Sequence, residues 1–296
     1  MSLFLSRSLT ILFLFIAPYT AFAQFPGPVI DSEWLLKNKN SVVVLDIQEL
    51  PLYSQHHIEG AINLPFSKWR TGDESNPPKS LPPISTLSAW LGDFGIERTT
   101  PVVITSTGTA PGDMSASARV YWTLKVLGHE QAAILNGGLV SYVNEYGGKY
   151  TREITQPYKK VIYDPKPNMD LLATANWILS YEGQKLDART LEEKVGLIAG
   201  DGERPGTLKG TKHLPYDWLV DNGGKLRTQK ELKSLFDYAG LSDNGAVHFC
   251  HTGNRASLTW FVDYEIFGNK DARLYDGSMI EWGKDPSLPI HRDLNL

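Results

Sequence analysis

The chain has 296 residues, of which 42% are hydrophobic and 11% are aromatic. This apolar content suffices for one large domain or two of ordinary size, and it excludes a largely disordered chain. The sequence holds 29 lysine and arginine residues against 33 aspartate and glutamate residues, so the formal net charge is −4. With no basic stripe along the chain, nucleic acid is excluded as an expected partner.

The first 23 residues have the features of a secretory signal peptide. Arg7 supplies a charged start, residues 9–16 form a short apolar stretch, and residues 21–23 read Ala-Phe-Ala, a small-residue cleavage signal. The apolar stretch is too short to span a membrane. We therefore expect an exported, periplasmic protein whose mature chain begins at Gln24 and has no membrane contact.

A weak internal repeat runs through the rest of the sequence. One apolar run ends at Asp46 and a second ends at Asp187, an offset of 141 residues. Gly128 and Gly268 each follow an apolar helical segment and lie 140 residues apart. A nearly constant offset indicates that the chain contains two copies of one structural plan.

Each copy alternates short apolar runs with amphipathic or largely apolar segments, the pattern of parallel strands joined by crossover helices. We expect an α/β fold with two domains, each a small, mainly parallel sheet flanked by helices. Proline-rich residues 151–170 suit a surface linker. The predicted organisation is a first domain at residues 24–150, this linker, and a second domain at residues 171–296.

Cys250 is the only cysteine of the chain and stands at a position suited to chemistry. Residues 246–249 predict a strand and residues 256–267 predict a buried helix, so the loop from Cys250 to Arg255 joins a strand end to a helix start. Backbone N–H groups and the positive end of a helix stabilise an anion there, which favours the thiolate. A lone cysteine is more commonly an inert core residue. Here the polar, glycine-containing loop favours a catalytic or redox role.

Several motifs resemble the rhodanese family. The six residues from Cys250 to Arg255 match the length of the active loop of that family, which curls around a persulfide sulfur. Residues 57–65 match a family histidine-to-proline pattern closely, and residues 206–215 match it loosely. Residues 186–189, and residues 275–278 with Trp282 beyond, also look like family signatures. The resemblance covers residues 27–285 and implies two tandem rhodanese-like domains.

The same resemblance implies that the first domain is catalytically silent. Ser106 stands where the second copy has Cys250, and its loop is longer by four residues. Silent first domains of the family cover one side of the active cleft. A metal is not predicted, because the adjacent His56 and His57 fit no common zinc pattern and the motif places His57 in a structural turn. No cofactor is predicted.

The implied function is that of a sulfurtransferase that moves a sulfane sulfur from thiosulfate or 3-mercaptopyruvate to cyanide or a thiol through a persulfide on Cys250. The predicted partners are therefore a small anionic sulfur donor and a thiophilic acceptor. Two potentially cationic positions in the loop favour thiosulfate as donor. The predicted substrate-binding residues are Arg255, His251, Thr252, Gly253, Asn254 and Arg189. Arg189 could equally be half of a surface ion pair with Asp187.

Two other functions remain open from the sequence. A non-catalytic redox or binding module would use Cys250 to form a mixed disulfide with another exported protein. A cysteine phosphatase also surrounds a cysteine and an arginine with N–H groups, but its loop is one residue longer than Cys250 to Arg255.

Overall fold

The computed structural model describes residues 24–72, 77–154 and 159–294, so the predicted signal peptide lies outside the described residues. Within them the chain forms two α/β halves, each built on a five-stranded parallel sheet flanked by helices. The fold class expected from the sequence is confirmed. No helix of the described residues is long and apolar enough to cross a membrane.

Short strands and helices alternate in the first half. The strands are β1 (Val29–Ile30), β2 (Val43–Asp46), β3 (His57–Ile58), β4 (Ile62–Asn63), β5 (Val102–Thr105), β6 (Ala132–Leu135) and β7 (Tyr150–Thr151). The helices are α1 (Ser32–Asn38), α2 (Leu50–Tyr53), α3 (Ile84–Asp93), α4 (Pro111–Val126) and α5 (Gly138–Asn144). The parallel sheet has the order β1-β6-β5-β2-β4, while β3 and β7 form a separate antiparallel pair.

The second half repeats this arrangement with its own elements. The strands are β8 (Leu172–Ala173), β9 (Lys185–Asp187), β10 (Lys212–His213), β11 (Val247–Phe249) and β12 (Arg273–Tyr275). The helices are α6 (Ala175–Leu179), α7 (Leu191–Val195), α8 (Gln229–Tyr238), α9 (Asn254–Phe261) and α10 (Ser278–Trp282). Short 3₁₀ turns at Phe66–Trp69, Met169–Leu171 and Tyr216–Leu219 join elements in the two halves.

The two sheets share one topology. The second sheet has the order β8-β12-β11-β9-β10, which matches the first sheet strand for strand. Asp46 and Asp187 end equivalent strands, and Ser106 and Cys250 each follow the central strand directly. Between the halves, residues 159–168 form neither helix nor strand. The linker bounds of 151–170 stay a prediction.

Helices α4 and α9 pack against each other and join the two halves. The ring of Tyr121 on α4 meets the ring of Phe261 on α9 edge-on, with centroids 4.9 Å apart. One buried apolar cluster runs from Leu45 in the first half to Leu258 in the second. The halves are therefore joined through a continuous core, which fixes the first half beside the loop that carries Cys250.

The helix that follows Cys250 does not remain regular. The sequence predicts one helix over residues 256–267, but α9 ends at Phe261 and continues as a π-helical turn over Val262–Ile266. In this turn Asp263 accepts hydrogen bonds from the Ala246 backbone N–H (3.0 Å) and from His248 Nε2 (2.8 Å). These bonds to the buried central strand hold the widened turn, a feature that is frequent beside functional sites.

Candidate active site

Cys250 lies directly after β11, fully buried, with a free thiol. The chain leaves the strand, turns through residues 251–253 and enters α9 at Asn254. The carbonyl oxygens of Cys250 and His251 accept hydrogen bonds from the N–H groups of Met279 (3.0 Å) and Ile280 (2.9 Å). The start of the loop is thereby fixed to helix α10.

A single hydroxyl ties the two ends of the loop together. Ser278 Oγ accepts hydrogen bonds from the N–H groups of Cys250 (3.2 Å) and Gly253 (3.0 Å) and donates one to the Tyr275 carbonyl oxygen (2.7 Å). To do this, Ser278 adopts a φ of 50°, a left-handed conformation that costs a non-glycine residue about 1 to 2 kcal/mol. Ser278 belongs to the family signature at residues 275–278, but no role at the site was predicted for it from the sequence.

Position 253 must be glycine, both because of its backbone conformation and because of its close neighbours. Its φ is 74°, and a Cβ at this position would stand 2.8 Å from Arg119 Nη1 and from the Asp276 carbonyl oxygen. A side chain therefore meets both conformational strain and a collision with buried groups. The loop can curl tightly here only because residue 253 is glycine.

Arg255, a predicted substrate-binding residue, is held by Glu193. Its Nη1 and Nη2 donate to the two carboxylate oxygens of Glu193 at 2.6 and 2.7 Å. Burial works to raise the pKa of Glu193, but the hydrogen bonds and charge of Arg255 outweigh it and hold that pKa at about 2. Arg255 is thus oriented by a charge-assisted pair, and Glu193 offsets much of its positive charge.

Glu193 itself is positioned by the start of α7. It is the third residue of that helix, and its carboxylate accepts the Thr190 N–H while Thr190 Oγ1 accepts the Glu193 N–H. This capping box holds the Glu193 carboxylate in the position where it binds Arg255. Tyr216 completes this side of the site, with its ring centre 6.0 Å from the guanidinium of Arg255. Burial raises the pKa of Tyr216.

His251 is paired with a second carboxylate. Its Nε2 lies 2.8 Å from Glu203 Oε1, with 34% of the histidine side chain exposed and 5% of the glutamate side chain exposed. Glu203 was also missed from the sequence, because it lies 48 residues before His251 in the chain. The two potentially cationic loop residues therefore each have an acidic partner.

The first half contributes polar contacts to the other loop residues. Arg70 Nη2 donates to the Thr252 carbonyl oxygen at 2.8 Å. Asn254 Nδ2 lies 3.4 Å from Ser115 Oγ on α4. Thr252 and Asn254, two of the predicted substrate-binding residues, therefore contact the first half from the loop that follows Cys250.

Arg189 faces the interior of the second half. Its guanidinium donates to both carboxylate oxygens of Asp187 and to the Gly206 carbonyl oxygen (2.8 Å), and its side chain is only 4% exposed. The alternative that Arg189 forms a surface ion pair with Asp187 is therefore wrong, because this pair is buried. A substrate-binding role for Arg189 stays a prediction, and its observed contacts connect β9 to the segment around residue 206.

The loop of the first half keeps the backbone pattern of the second but carries no thiol. The carbonyl oxygens of Ser106 and Thr107 accept from Leu139 and Val140, as those of Cys250 and His251 accept from Met279 and Ile280. Ser106 Oγ accepts a hydrogen bond from Ser117 Oγ at 3.1 Å. The pairing of Ser106 with Cys250 inferred from the repeat is therefore seen in the hydrogen bonds.

His57 lies in the short strand β3, paired with β7, rather than in the turn that the motif indicated. It is buried, with its ring nitrogens 2.7 and 3.1 Å from the carbonyl oxygens of Tyr53 and Glu153. Among the described residues, no group of three or more histidine, cysteine, aspartate or glutamate side chains is arranged to hold a metal ion.

Comparison with known proteins extends this picture. Residues 31–145 match the family model described as Rhodanese-like domain. A protein of Mycolicibacterium smegmatis named "Putative thiosulfate sulfurtransferase" is 26% identical over 276 residues, covering 88% of this chain and 96% of the relative. One of Mycobacterium leprae named "Putative thiosulfate sulfurtransferase SseA" is 28% identical over 284 residues, covering 90% of this chain and 91% of the relative.

Solved structures show the same fold. A structure of EanB in complex with ergothioneine superposes with a TM-score of 0.80 at 19% sequence identity, covering 91% of this chain and 71% of that one. The wild-type EanB structure gives a TM-score of 0.79 at 18% identity, covering 90% and 69%. Residues 31–145 therefore match a rhodanese-like domain, and about nine-tenths of the chain is similar to proteins named as putative thiosulfate sulfurtransferases.

Proposed function

We propose that the chain is a sulfurtransferase that takes the sulfane sulfur of thiosulfate or 3-mercaptopyruvate onto Cys250 and passes it to cyanide or a thiol. The observation that carries this proposal is the buried free thiol of Cys250 in a six-residue loop, in which the N–H groups of Cys250 and Gly253 both donate to Ser278 Oγ. Support also comes from the relatives named as thiosulfate sulfurtransferases.

The first step would be attack of the Cys250 thiolate on the outer sulfur of the donor. A bond forms between the two sulfurs, and sulfite leaves with the electron pair when thiosulfate is the donor. The N–H groups of residues 251, 252, 254 and 255 would then face the terminal sulfur anion, since those of Cys250 and Gly253 donate to Ser278. The positive end of α9 adds to this stabilisation.

Thiosulfate is the preferred donor in this proposal because Arg255 and His251 border the thiol. Their partners Glu193 and Glu203 offset the positive charge of Arg255 and His251. A dianionic donor would therefore be attracted by directed contacts with these side chains rather than by a strong long-range field. The loop as a whole, including Thr252, Gly253 and Asn254, would bind the donor, with Arg189 behind it.

The second step must use an external acceptor. Cys250 is the only cysteine of the chain, so a second thiol to release the sulfur intramolecularly does not exist. The first half would act as the silent partner that supports the loop. We further propose that the protein is exported to the periplasm after cleavage before Gln24.

The test is intact mass spectrometry of the chain from Gln24 onward after incubation with thiosulfate or 3-mercaptopyruvate. We expect a gain of one sulfur atom, its loss on adding cyanide, and thiocyanate as product. The Cys250→Ser variant should keep the fold and gain no sulfur. A wild-type protein that takes up no sulfur from either donor would overturn the proposal and favour the binding or redox module. Hydrolysis of an aryl phosphate would favour the phosphatase.

A further inference from the structure

The Glu203–His251 pair has a geometry that sulfur uptake does not require. His251 follows Cys250 directly, and its Nε2 lies 2.8 Å from Glu203 Oε1. The carboxylate is almost fully buried, whereas a third of the histidine side chain reaches solvent. One end of the pair is therefore fixed in the protein, and the other end is open to an incoming molecule.

Glu203 is held firmly by its own segment. Its N–H donates to the Gly200 carbonyl oxygen at 3.1 Å. The next residue, Arg204, donates from its backbone N–H, Nε and Nη2 to carbonyl oxygens of Gly283 and Trp282 at 3.0 to 3.1 Å. These bonds anchor residues 200–204 to the end of α10, the helix whose N–H groups also fix the backbone of His251. Carboxylate and imidazole thus share one rigid support.

The carboxylate determines which ring nitrogen carries the proton. An ionised carboxylate can only accept, so Nε2 is the donor, and in the neutral ring Nδ1 then carries the free lone pair. Catalytic serine–histidine–aspartate sites use the same arrangement with the two nitrogens exchanged, where the carboxylate fixes the tautomer and stabilises the imidazolium that forms. The arrangement here is suited to accepting one proton.

Resting on the sulfurtransferase function, we propose that His251, oriented by Glu203, is the general base that deprotonates a thiol acceptor. The S–H bond breaks and its proton moves to Nδ1, while the thiol sulfur bonds to the outer sulfur of the persulfide. The bond between that outer sulfur and Cys250 Sγ breaks, and its electron pair stays on Cys250 as the thiolate. Sulfur is transferred without any external oxidant or reductant, and His251 returns its proton to water.

Only the second step of the reaction, the transfer of sulfur to the acceptor, needs this base. Thiosulfate brings no proton to the site, so no general base is needed to load sulfur onto Cys250. A thiol that is protonated at neutral pH must lose its proton before it can attack, and a positioned base accelerates such a step by about 100-fold or more. In this proposal Glu203 is a positioning residue that acts through His251.

The test follows transfer from the loaded protein to two thiols at neutral pH by stopped flow or quenched mass spectrometry. One is an alkyl thiol that is mostly protonated, and the other is an electron-poor aryl thiol that is already ionised. In Glu203→Gln we expect transfer to the alkyl thiol to slow by roughly 100-fold, and transfer to the aryl thiol to slow less than about threefold. A structural role alone would slow both thiols alike.

Two further variants complete the design. Glu192→Gln removes an equal charge from an exposed residue of α7. This variant should transfer sulfur to both thiols at the rates of the wild type. His251→Gln retains a donor for Glu203 but has no base, so it should reproduce the selective loss even if Glu203→Gln folds poorly. Equal slowing of both thiols in Glu203→Gln and His251→Gln, or slowing of neither thiol, overturns the role of His251 as the base. Failure of the wild type to load overturns the sulfurtransferase function instead.

The pH dependence gives a second readout. Glu203 is the charged group that contacts the ring of His251, and Arg204 follows it on the same segment. Glu281 lies on α10, which binds the His251 backbone, and Cys250 and Arg255 lie in the same loop as His251. Without the base only the ionised alkyl thiol can attack, so transfer to it should rise more steeply with pH in Glu203→Gln and His251→Gln than in the wild type, while the profile with the aryl thiol keeps its shape. Unchanged profiles with both thiols would contradict the proposal.

Discussion

Arg119 and Asp276 form an ion pair that is buried between the two halves, with side-chain exposures of 0% and 7%. Arg119 comes from α4 in the first half, and Asp276 follows β12 in the second. The other carboxylate oxygen of Asp276 accepts the N–H of Leu81 at 2.6 Å. The guanidinium of Arg119 also stacks over the ring of Trp122 at 4.7 Å, beside Gly253. The first half thus reaches beneath the loop that carries Cys250.

Removal of one partner of this pair should destabilise the whole chain. Arg119→Met leaves the Asp276 carboxylate buried without its cation, and such a loss costs about 3 to 5 kcal/mol. Denaturant unfolding of Arg119→Met, Asp276→Asn and the double variant would measure it. The double variant should lose less than the sum of the single losses. Lys37→Ala, at an exposed ion pair, is the control and should leave the midpoint unchanged. Additive losses would show that the pair does not couple the halves.

Arg255 and Glu193 should behave as one unit in donor capture. Arg255→Ala removes a positive charge and leaves the Glu193 carboxylate facing the loop, which repels a dianionic donor. We expect the second-order rate of loading by thiosulfate to fall by at least about tenfold, and the Arg255→Ala/Glu193→Ala double variant to recover part of it. Pre-steady-state loading at low and high salt would measure both. Equal loading rates in Arg255→Ala and wild type would contradict the role of Arg255.

Gly253→Ala should disrupt the loop through collision as well as strain. The added Cβ would meet Arg119 and Asp276, and φ stays positive. Gly147 is the control position, because its φ is 66° and no heavy atom lies near an added Cβ. A substitution there adds conformational strain without a collision. We expect Gly147→Ala to cost about 1 kcal/mol and to load sulfur normally. Gly253→Ala should cost more and load at least tenfold more slowly. Similar behaviour of the two variants would show that the close packing of Gly253 is unimportant.

Asp46 should make stability depend on pH. Burial raises its pKa to about 7, against 3.8 in the unfolded chain, although two hydrogen bonds from Gln48 work in the opposite direction. A raised pKa stabilises the folded state below the unfolded value, and this stabilisation is lost as pH rises through about 7. Asp46 alone should therefore lower the unfolding free energy by about 4 kcal/mol between pH 4 and 8.

The Asp46→Asn variant tests this dependence, because it cannot titrate. The difference in unfolding free energy between wild type and Asp46→Asn, measured at each pH, should shift in favour of the variant as pH rises. A difference that is flat over this range would contradict the raised pKa. The equivalent Asp187 has Arg189 where Asp46 has Gln48, so the second half supplies the cation that the first half lacks.

The strands and the active loop were predictable because their signals are local. The strand predicted at residues 246–249 is β11, which starts one residue later than predicted. A run of buried apolar residues, then a cysteine, a glycine and a helix, specifies the loop around Cys250 without reference to distant residues. The repeat then gave the equivalence with Ser106, which the backbone hydrogen bonds reproduce.

The partners of the loop were not predictable, because their positions depend on tertiary packing. Glu193 lies 62 residues from Arg255, and Arg119 lies 157 residues from Asp276. A signal was nevertheless present for two of them. Thr190 and Glu193 have the spacing of a capping box, and Arg119 is the single charge between Ser115 and Leu124 in an otherwise apolar or small-residue segment. Nothing of this kind distinguishes Glu203, whose role depends on how residues 200–204 fold back.

The hydroxyl of Ser278 determines how a cysteine introduced into the first half would be placed. At the equivalent position stands Gly138, whose φ is 55°, and any side chain there would overlap the Ser106 carbonyl oxygen because the longer loop fills that space. A cysteine introduced at position 106 would therefore lack the acceptor that gathers the loop N–H groups in the second half. The first half differs from the second in two separate segments, so a substitution at residue 106 alone would not reproduce the arrangement around Cys250.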